Sequence, residues 1–205
     1  MSESSIIQTP AAPVKAKPSA PHFLIVATSL NPNSKSLLMA QYARERLVAQ
    51  GHSTSLVSLR DLPLPMCDGT QAISHEKNAW ALREEVQKAT HVVFALPIYN
   101  FSANAAAKNM IELLFNWGCW KEDEWDDFVM GKTAGFLCTG GAEHSRMAVM
   151  SFANSLMLEC WWWIAPRFVF ATEDKFKNGQ LENVQTKERI ERLLNDMLQG
   201  PRVFA

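Results

Sequence analysis

A chain of 205 residues, 47% hydrophobic and 20% charged, has the makeup of a soluble globular protein, long enough for one well-buried domain and short for two. Its formal charge of −1 sets aside nucleic acid and anionic membrane as main partners, because both draw basic proteins. The same near-neutrality speaks against a small acidic electron carrier that finds its partners by charge steering. Residues 1–21 scatter Pro10, Pro13, Pro18 and Pro21 among Ala, Ser and Lys, with only Ile6 and Ile7 fit for a core. They read as a disordered tail ahead of one domain over 22–205. Lack of arginine and the presence of Glu3 set this tail apart from a transit peptide.

Phe23–Ala27 is an apolar, partly β-branched strand that runs into the polar turn TSLNPNS. A helix follows over Lys35–Gln50, with Leu37, Ala40, Ala43 and Leu47 at helical spacing and Gly51 as its stop. Ser53–Leu59 reads as the second strand, and LRDLPLPMCDG after it as a Pro/Gly-punctuated loop. Glu76–Ala89 is a helix, and His91–Leu96 a continuous apolar strand of the kind buried on both faces. Then come a helix over Ala103–Trp117, a strand over Thr133–Thr139, a helix over Ser145–Cys160 and a strand over Ala165–Ala171. An amphipathic helix over Asn183–Leu198, with Val184, Ile190, Leu194 and Met197 on one side, closes the chain. Five strands alternating with helices predict an α/β fold of three layers, a parallel sheet with helices on both faces.

In such sheets ligands sit beyond the carboxyl ends of the strands. The loops there are TSLNPNSKS, PIYNFSANA and TGGAEHSRM, all polar where the strands before them are apolar. The first leads into a helix N-terminus, whose unpaired N–H groups and dipole favour an anion. Hydroxyls of Ser29, Ser34 and Ser36 and the amide of Asn31 could add donors beside Lys35. Ser34 taken alone reads as a helix cap; the whole cluster after this strand reads as a phosphate site. Pro97, Ile98, Tyr99, Asn100 and Phe101 form a Pro-initiated turn, either a half-buried tyrosine turn or a ligand wall. Thr139, Gly140 and Gly141 are either a plain strand-to-helix turn or a place where a ligand meets bare backbone. Glu143, His144 and Arg146 lie just beyond and read first as a solvated helix start.

The third helix carries Met110, Ile111, Leu113, Leu114, Phe115 and Trp117 almost all round. That surplus predicts either a partner subunit or a loop folded back over it, for which WKEDEWDDF is the candidate. Trp161, Trp162 and Trp163 read as core or interface packing ahead of cofactor stacking. The first loop lacks the Gly-Lys-Ser/Thr ending of a nucleotide-triphosphate loop, the five histidines lack ligand spacing, and no Gly-x-Ser-x-Gly elbow occurs. Cys67, Cys119, Cys138 and Cys160 include no close-spaced pair, and with no signal peptide in view they read as reduced thiols of a cytoplasmic protein. No apolar run reaches the roughly 20 residues that span a bilayer.

At these loops the chain resembles the NADPH-dependent FMN reductase family, a flavodoxin-like group. The family's first loop reads Gly-Ser-x-Arg-x-x-Ser-x-Asn/Ser/Thr, and its slots hold Thr28, Ser29, Asn31, Ser34 and Ser36 here. Its Pro-Glu-Tyr-Asn element is matched by Pro97, Ile98, Tyr99 and Asn100, its Lys-Asn by Lys108 and Asn109, its Gly-Lys by Gly131 and Lys132, and its Gly-Gly by Gly140 and Gly141. The likeness covers roughly Phe23–Phe170. Departures are Asn31 for arginine, Ile98 for the acid, no Pro-Gly at the start of the third helix, and a longer loop over Gly118–Met130.

The resemblance implies strand order 2-1-3-4-5 and FMN bound by Ser29, Asn31, Ser34, Lys35, Ser36, Pro97–Phe101 and Thr139–Gly141. It further implies hydride transfer from NADPH or NADH to N5 of FMN, then ping-pong delivery to a small acceptor such as a quinone, flavin, azo compound or oxyanion. A homodimer or homotetramer is expected. The second reading is a flavodoxin-type electron-transfer or flavin-binding protein without nicotinamide activity, and a third a degenerate member that binds no cofactor.

Overall fold

Local signals and long-range burial agree along most of the chain. The computed structural model describes residues 20–115, 130–141 and 147–201, so residues 1–19 of the expected tail over 1–21 and most of the Gly118–Met130 loop lie outside the described residues. Strand β1 (His22–Ala27) leads to helix α1 (Lys35–Ala49), β2 (Ser53–Ser58), a single turn α2 (Gln71–Ser74) and α3 (Lys77–Lys88). Next come β3 (His91–Tyr99), a two-residue β4 (Ser102–Ala103), α4 (Ala105–Leu114), β5 (Thr133–Thr139) and α5 (Met150–Cys160). The chain ends with β6 (Trp163–Ala171), a small hairpin of β7 (Phe176–Lys177) and β8 (Gln180–Leu181), and α6 (Val184–Gln199).

The five long strands are parallel, in the order β2-β1-β3-β5-β6. Counting only these, the order is the expected 2-1-3-4-5; β4 adds an antiparallel step to β3. Successive side chains on β1 and β3 point to opposite faces, and both faces are apolar. Leu24, Val26, Val92, Phe94 and Leu96 pack towards α3, α4 and α5 through Leu82, Val86, Met110, Phe152 and Leu156. Phe23, Ile25, Val93 and Ala95 pack towards α1 and α6 through Met39, Leu47, Ile190 and Leu194. Burial on both faces is why β1 and β3 read as unbroken apolar runs.

Caps set the helix ends. The Ser34 hydroxyl accepts the Leu37 N–H at 3.1 Å at the start of α1, and Gly51 with φ +81° follows its end. Glu76 accepts the N–H groups of Asn78 and Ala79 at the start of α3. At the other end of α3, the buried Lys132 ammonium donates to the Ala89 carbonyl at 2.7 Å, with the Gln87 carbonyl at 3.5 Å. Burial pushes this lysine down to about 8.

Two expectations need correction. The apolar surplus predicted for the third helix is not left over: Ile111, Leu114 and Phe115 are buried and Leu113 is 1% exposed within the single chain. The helix also ends earlier than predicted, at Leu114, and Trp117 lies outside the described residues. This helix therefore gives no argument for a partner subunit, because a helix sunk between α3, the loop after β2 and the sheet has more than one face to hide. Of the three tryptophans, Trp162 is buried against Phe94 and Phe115, while Trp161 is exposed. They stand at the amino end of β6, opposite the rim where a cofactor was expected, so the stacking role falls away, and packing describes Trp162 and the partly buried Trp163 but not Trp161.

Candidate functional site

Parallel register decides which loops meet. Ala27 of β1 lies beside Ala95 of β3, and Pro97 of β3 beside Thr139 of β5. The carboxyl ends of three adjacent strands therefore bring the loops after β1, β3 and β5 to one rim. The Thr28 N–H donates to the Ala95 carbonyl at 2.9 Å and extends the sheet past β1.

The first loop is built from its own side chains. Ser29 Oγ accepts the Asn31 N–H at 3.3 Å, and Asn31 Oδ1 accepts the Asn33 N–H at 2.8 Å. These two local bonds make the turn that hands the chain to α1. Ser34 and Ser36 place their hydroxyls 3.0 Å apart, both side chains buried, with Ser36 only 1% exposed. The N–H groups of Lys35 and Ser36 stand at the first two helical positions, where α-helix geometry supplies no acceptor. Lys35 projects to Glu173, just past β6, and forms an ion pair with it.

Asn104 ties this loop to the next element, a role that the sequence does not announce. Its Oδ1 accepts from the Thr28 hydroxyl at 2.7 Å and its Nδ2 donates to the Thr28 carbonyl at 2.8 Å, both buried. Asn104 stands at the N-cap of α4 without giving a side-chain cap, so its amide is spent on the loop instead. Asn109 does the same service one turn later. It accepts the Cys67 N–H and donates to the Pro65 carbonyl, each at 2.8 Å, fixing the loop after β2 against α4.

The Pro97–Asn100 element is a tight hairpin. Tyr99 pairs with Ser102 across two residues, Asn100 and Phe101, whose φ angles are +51° and +58°. Two left-handed central residues are the pattern of a type I′ turn, where glycine normally takes the second place. Phe101 stands there instead, 69% exposed, with Tyr99 exposed beside it and Ile98 buried beneath. An aromatic side chain is thus held outward at the rim by a backbone that disfavours it.

At the third loop Thr139 is buried and Gly140 half-buried. A Cβ on Gly140 would stand 2.9 Å from Phe170 Cζ and 3.4 Å from Ile98 Cβ, so a side chain there would have to displace the Phe170 ring. Its N–H donates to the Ala171 carbonyl at 3.3 Å, while a Cβ on Gly141 would meet open space, so among the described residues of this loop the Gly141 backbone is accessible. Glu143, His144 and Arg146 lie outside the described residues. Burial pushes the Cys138 thiol far above its ordinary range and the Cys160 thiol up to about 12. Neither suits a nucleophile. Among the described residues no group of three metal-binding side chains gathers, and no helix is long and apolar enough to cross a membrane.

Solved structures share this architecture. The flavoenzyme NAD(P)H:(acceptor) oxidoreductase FerB from Paracoccus denitrificans superposes with a TM-score of 0.68 at 13% identity, over 88% of this chain and 98% of its own. The NAD(P)H:quinone oxidoreductase from Methanothermobacter marburgensis gives 0.60 at 12%, over 91% and 100%. At such identities the likeness speaks for fold. In sequence, an NAD(P)H-dependent FAD/FMN reductase from Geobacillus thermodenitrificans (strain NG80-2) is 24% identical over 139 residues, 67% of this chain and 70% of its own. The NADPH-dependent FMN reductase model matches residues 21–177, a span that takes in all three rim loops and the Asn104 and Asn109 ties. On that match the chain belongs to the NADPH-dependent FMN reductase family.

Proposed function

We propose that this protein is an FMN-dependent NAD(P)H oxidoreductase acting on a small electron acceptor, a quinone or a free flavin being the nearest candidates. The family and the Geobacillus relative point to FMN with NAD(P)H as co-substrate. The observation that carries the reading is the buried Ser34–Ser36 hydroxyl pair beside the Lys35 and Ser36 amides, which have no acceptor within α1, on a rim shared by three loops.

The residues present fit a flavin mononucleotide. Its phosphate is a compact dianion, and the first loop offers amides, hydroxyls and one ammonium at the positive end of a 15-residue helix. Its ring is flat and apolar with a polar edge; the hairpin supplies aromatic surface at Tyr99 and Phe101, and Gly141 supplies backbone without a Cβ beside it. Bound FMN would supply the redox chemistry, taking a hydride from NAD(P)H and passing electrons to the acceptor.

The chain's own work is placement. Ser34, Ser36 and the first amides of α1 bind the phosphate end. Asn104 fixes Thr28, and so keeps the first loop at a constant distance from the hairpin. Gly140 leaves no room for a Cβ beside Ile98 of the hairpin and Phe170 of β6, so the hairpin and the third loop lie close together. In this reading the two co-substrates use one face of this rim in turn. Homodimer or homotetramer assembly belongs to this proposal too.

Initial rates test the reading. With FMN-loaded protein, NADPH or NADH varied at several fixed quinone concentrations should give parallel double-reciprocal lines. Intersecting lines would remove the ping-pong scheme. The flavin-carrier alternative draws on Asn31, whose amide oxygen is occupied by the Asn33 N–H and which brings no charge. FMN-loaded protein that oxidises neither NADPH nor NADH would establish that alternative.

A further inference from the structure

We infer that Glu173 sets how tightly this rim holds a phosphorylated flavin, by competing with the phosphate for the ammonium of Lys35. The inference rests on the FMN reading above. Across 28–36, 97–104 and 139–141, Lys35 is the single basic residue. Asn31 stands where the family's first loop carries arginine, and its side-chain oxygen accepts the Asn33 N–H. Among the described residues of these loops, cationic help for a dianion therefore comes from Lys35, at the first position of α1.

That ammonium is engaged. It is bonded to the Glu173 carboxylate, which opens the turn directly after β6. The neighbouring Asp174 is bonded by Thr172 and Lys175, so Glu173 is the carboxylate of this turn that reaches Lys35. The Ala171 carbonyl, two residues before Glu173, accepts the Gly140 N–H; the ion pair thus reaches from the phosphate loop towards the third rim loop. The pair lies in water, its lysine side chain 34% and its glutamate side chain 85% exposed. Exposed pairs of this kind are weak and exchangeable. A phosphate dianion resting on helix amides offers the same ammonium more charge, and the flexible lysine stem can turn to it. Glu173 is then both a rival for Lys35 and a negative charge facing the ligand.

Titration of the apoprotein with FMN and, separately, with riboflavin, followed by quenching of flavin fluorescence, reads this directly. Riboflavin lacks the phosphate and serves as the internal control. Lys35→Met should weaken FMN about tenfold and leave riboflavin unchanged, the scale of one charge-assisted hydrogen bond. Glu173→Gln should tighten FMN roughly threefold, again without effect on riboflavin. In the Lys35→Met background the Glu173→Gln gain should shrink or vanish. Glu173→Ala repeats the test without a new amide, and because the pair is exposed all variants should keep the parent melting temperature. The inference is overturned if Glu173→Gln leaves FMN affinity unchanged or lowers it, or if riboflavin shifts in step with FMN. Parent protein that binds no FMN would instead overturn the FMN reading, and the inference with it.

Discussion

Ser34 and Ser36 show how one side chain can serve two levels of structure. Ser34 caps α1 through the Leu37 N–H and shares a hydrogen bond with Ser36. Replacing both with alanine should cost about 1 kcal/mol of stability, the usual value of a cap, and weaken FMN at least tenfold. Chemical denaturation and fluorescence titration separate the two effects; unchanged FMN affinity in the folded variant would put the phosphate elsewhere. Asn104 has the opposite character, a tether with no ligand to bind. Asn104→Ala leaves the buried Thr28 hydroxyl and carbonyl without partners, at an expected cost of about 2–4 kcal/mol, measured as a lower urea midpoint. Its role could not be read from sequence. An Asn ahead of an alanine-rich helix signals a cap, while its actual partner Thr28 lies 76 residues away, and local patterns carry no information at that range.

At the scale of elements, boundaries followed caps and breakers. α1 and β5 begin where the sequence puts them, because a Ser-Lys-Ser start and a Gly-Lys entry are local signals. The hairpin was legible only as a turn. Its type depends on two positive φ angles at Asn100 and Phe101, and phenylalanine gives no hint of a left-handed backbone. Phe101→Gly should relieve about 1 kcal/mol of that strain and raise the melting temperature by a few degrees. A variant melting below the parent would show that Phe101 contributes more by its contacts than its backbone loses. The cap of α3 by Lys132 makes a prediction in pH. Both folded and unfolded chains hold this proton below about pH 8, and the cost of burying the charge is then fully present. Between about 8 and the ordinary 10.5 the unfolded chain binds the proton and the folded chain does not, so stability rises with pH across that window. Urea midpoints of the parent should show that rise relative to Lys132→Met, whose profile lacks it; superimposable profiles would mean that the carbonyls of Ala89 and Gln87 hold the ammonium charged throughout.

For the whole molecule, alternation of apolar strands with helices was sufficient to give the doubly covered parallel sheet, since both faces of β1 and β3 demand a layer. Oligomerisation was not legible in the same way. An apolar helix reads alike whether a partner or the parent chain covers it, and here the chain itself buries Leu113. Leu113→Ala is therefore expected to lower stability by about 2–5 kcal/mol at any protein concentration. A loss that disappears at high concentration would restore a subunit contact at this helix. The rim itself was legible because polar loops follow apolar strands at three adjacent positions; the pairing of Lys35 with Glu173 was not, since it joins residues 138 apart. Anaerobic titration of the FMN-loaded protein with NADPH, and separately with NADH, bears on all of this most directly. Stoichiometric bleaching of the oxidised-flavin absorption by at least one of them is the predicted result; protein that retains FMN yet keeps its yellow colour with both would contradict it.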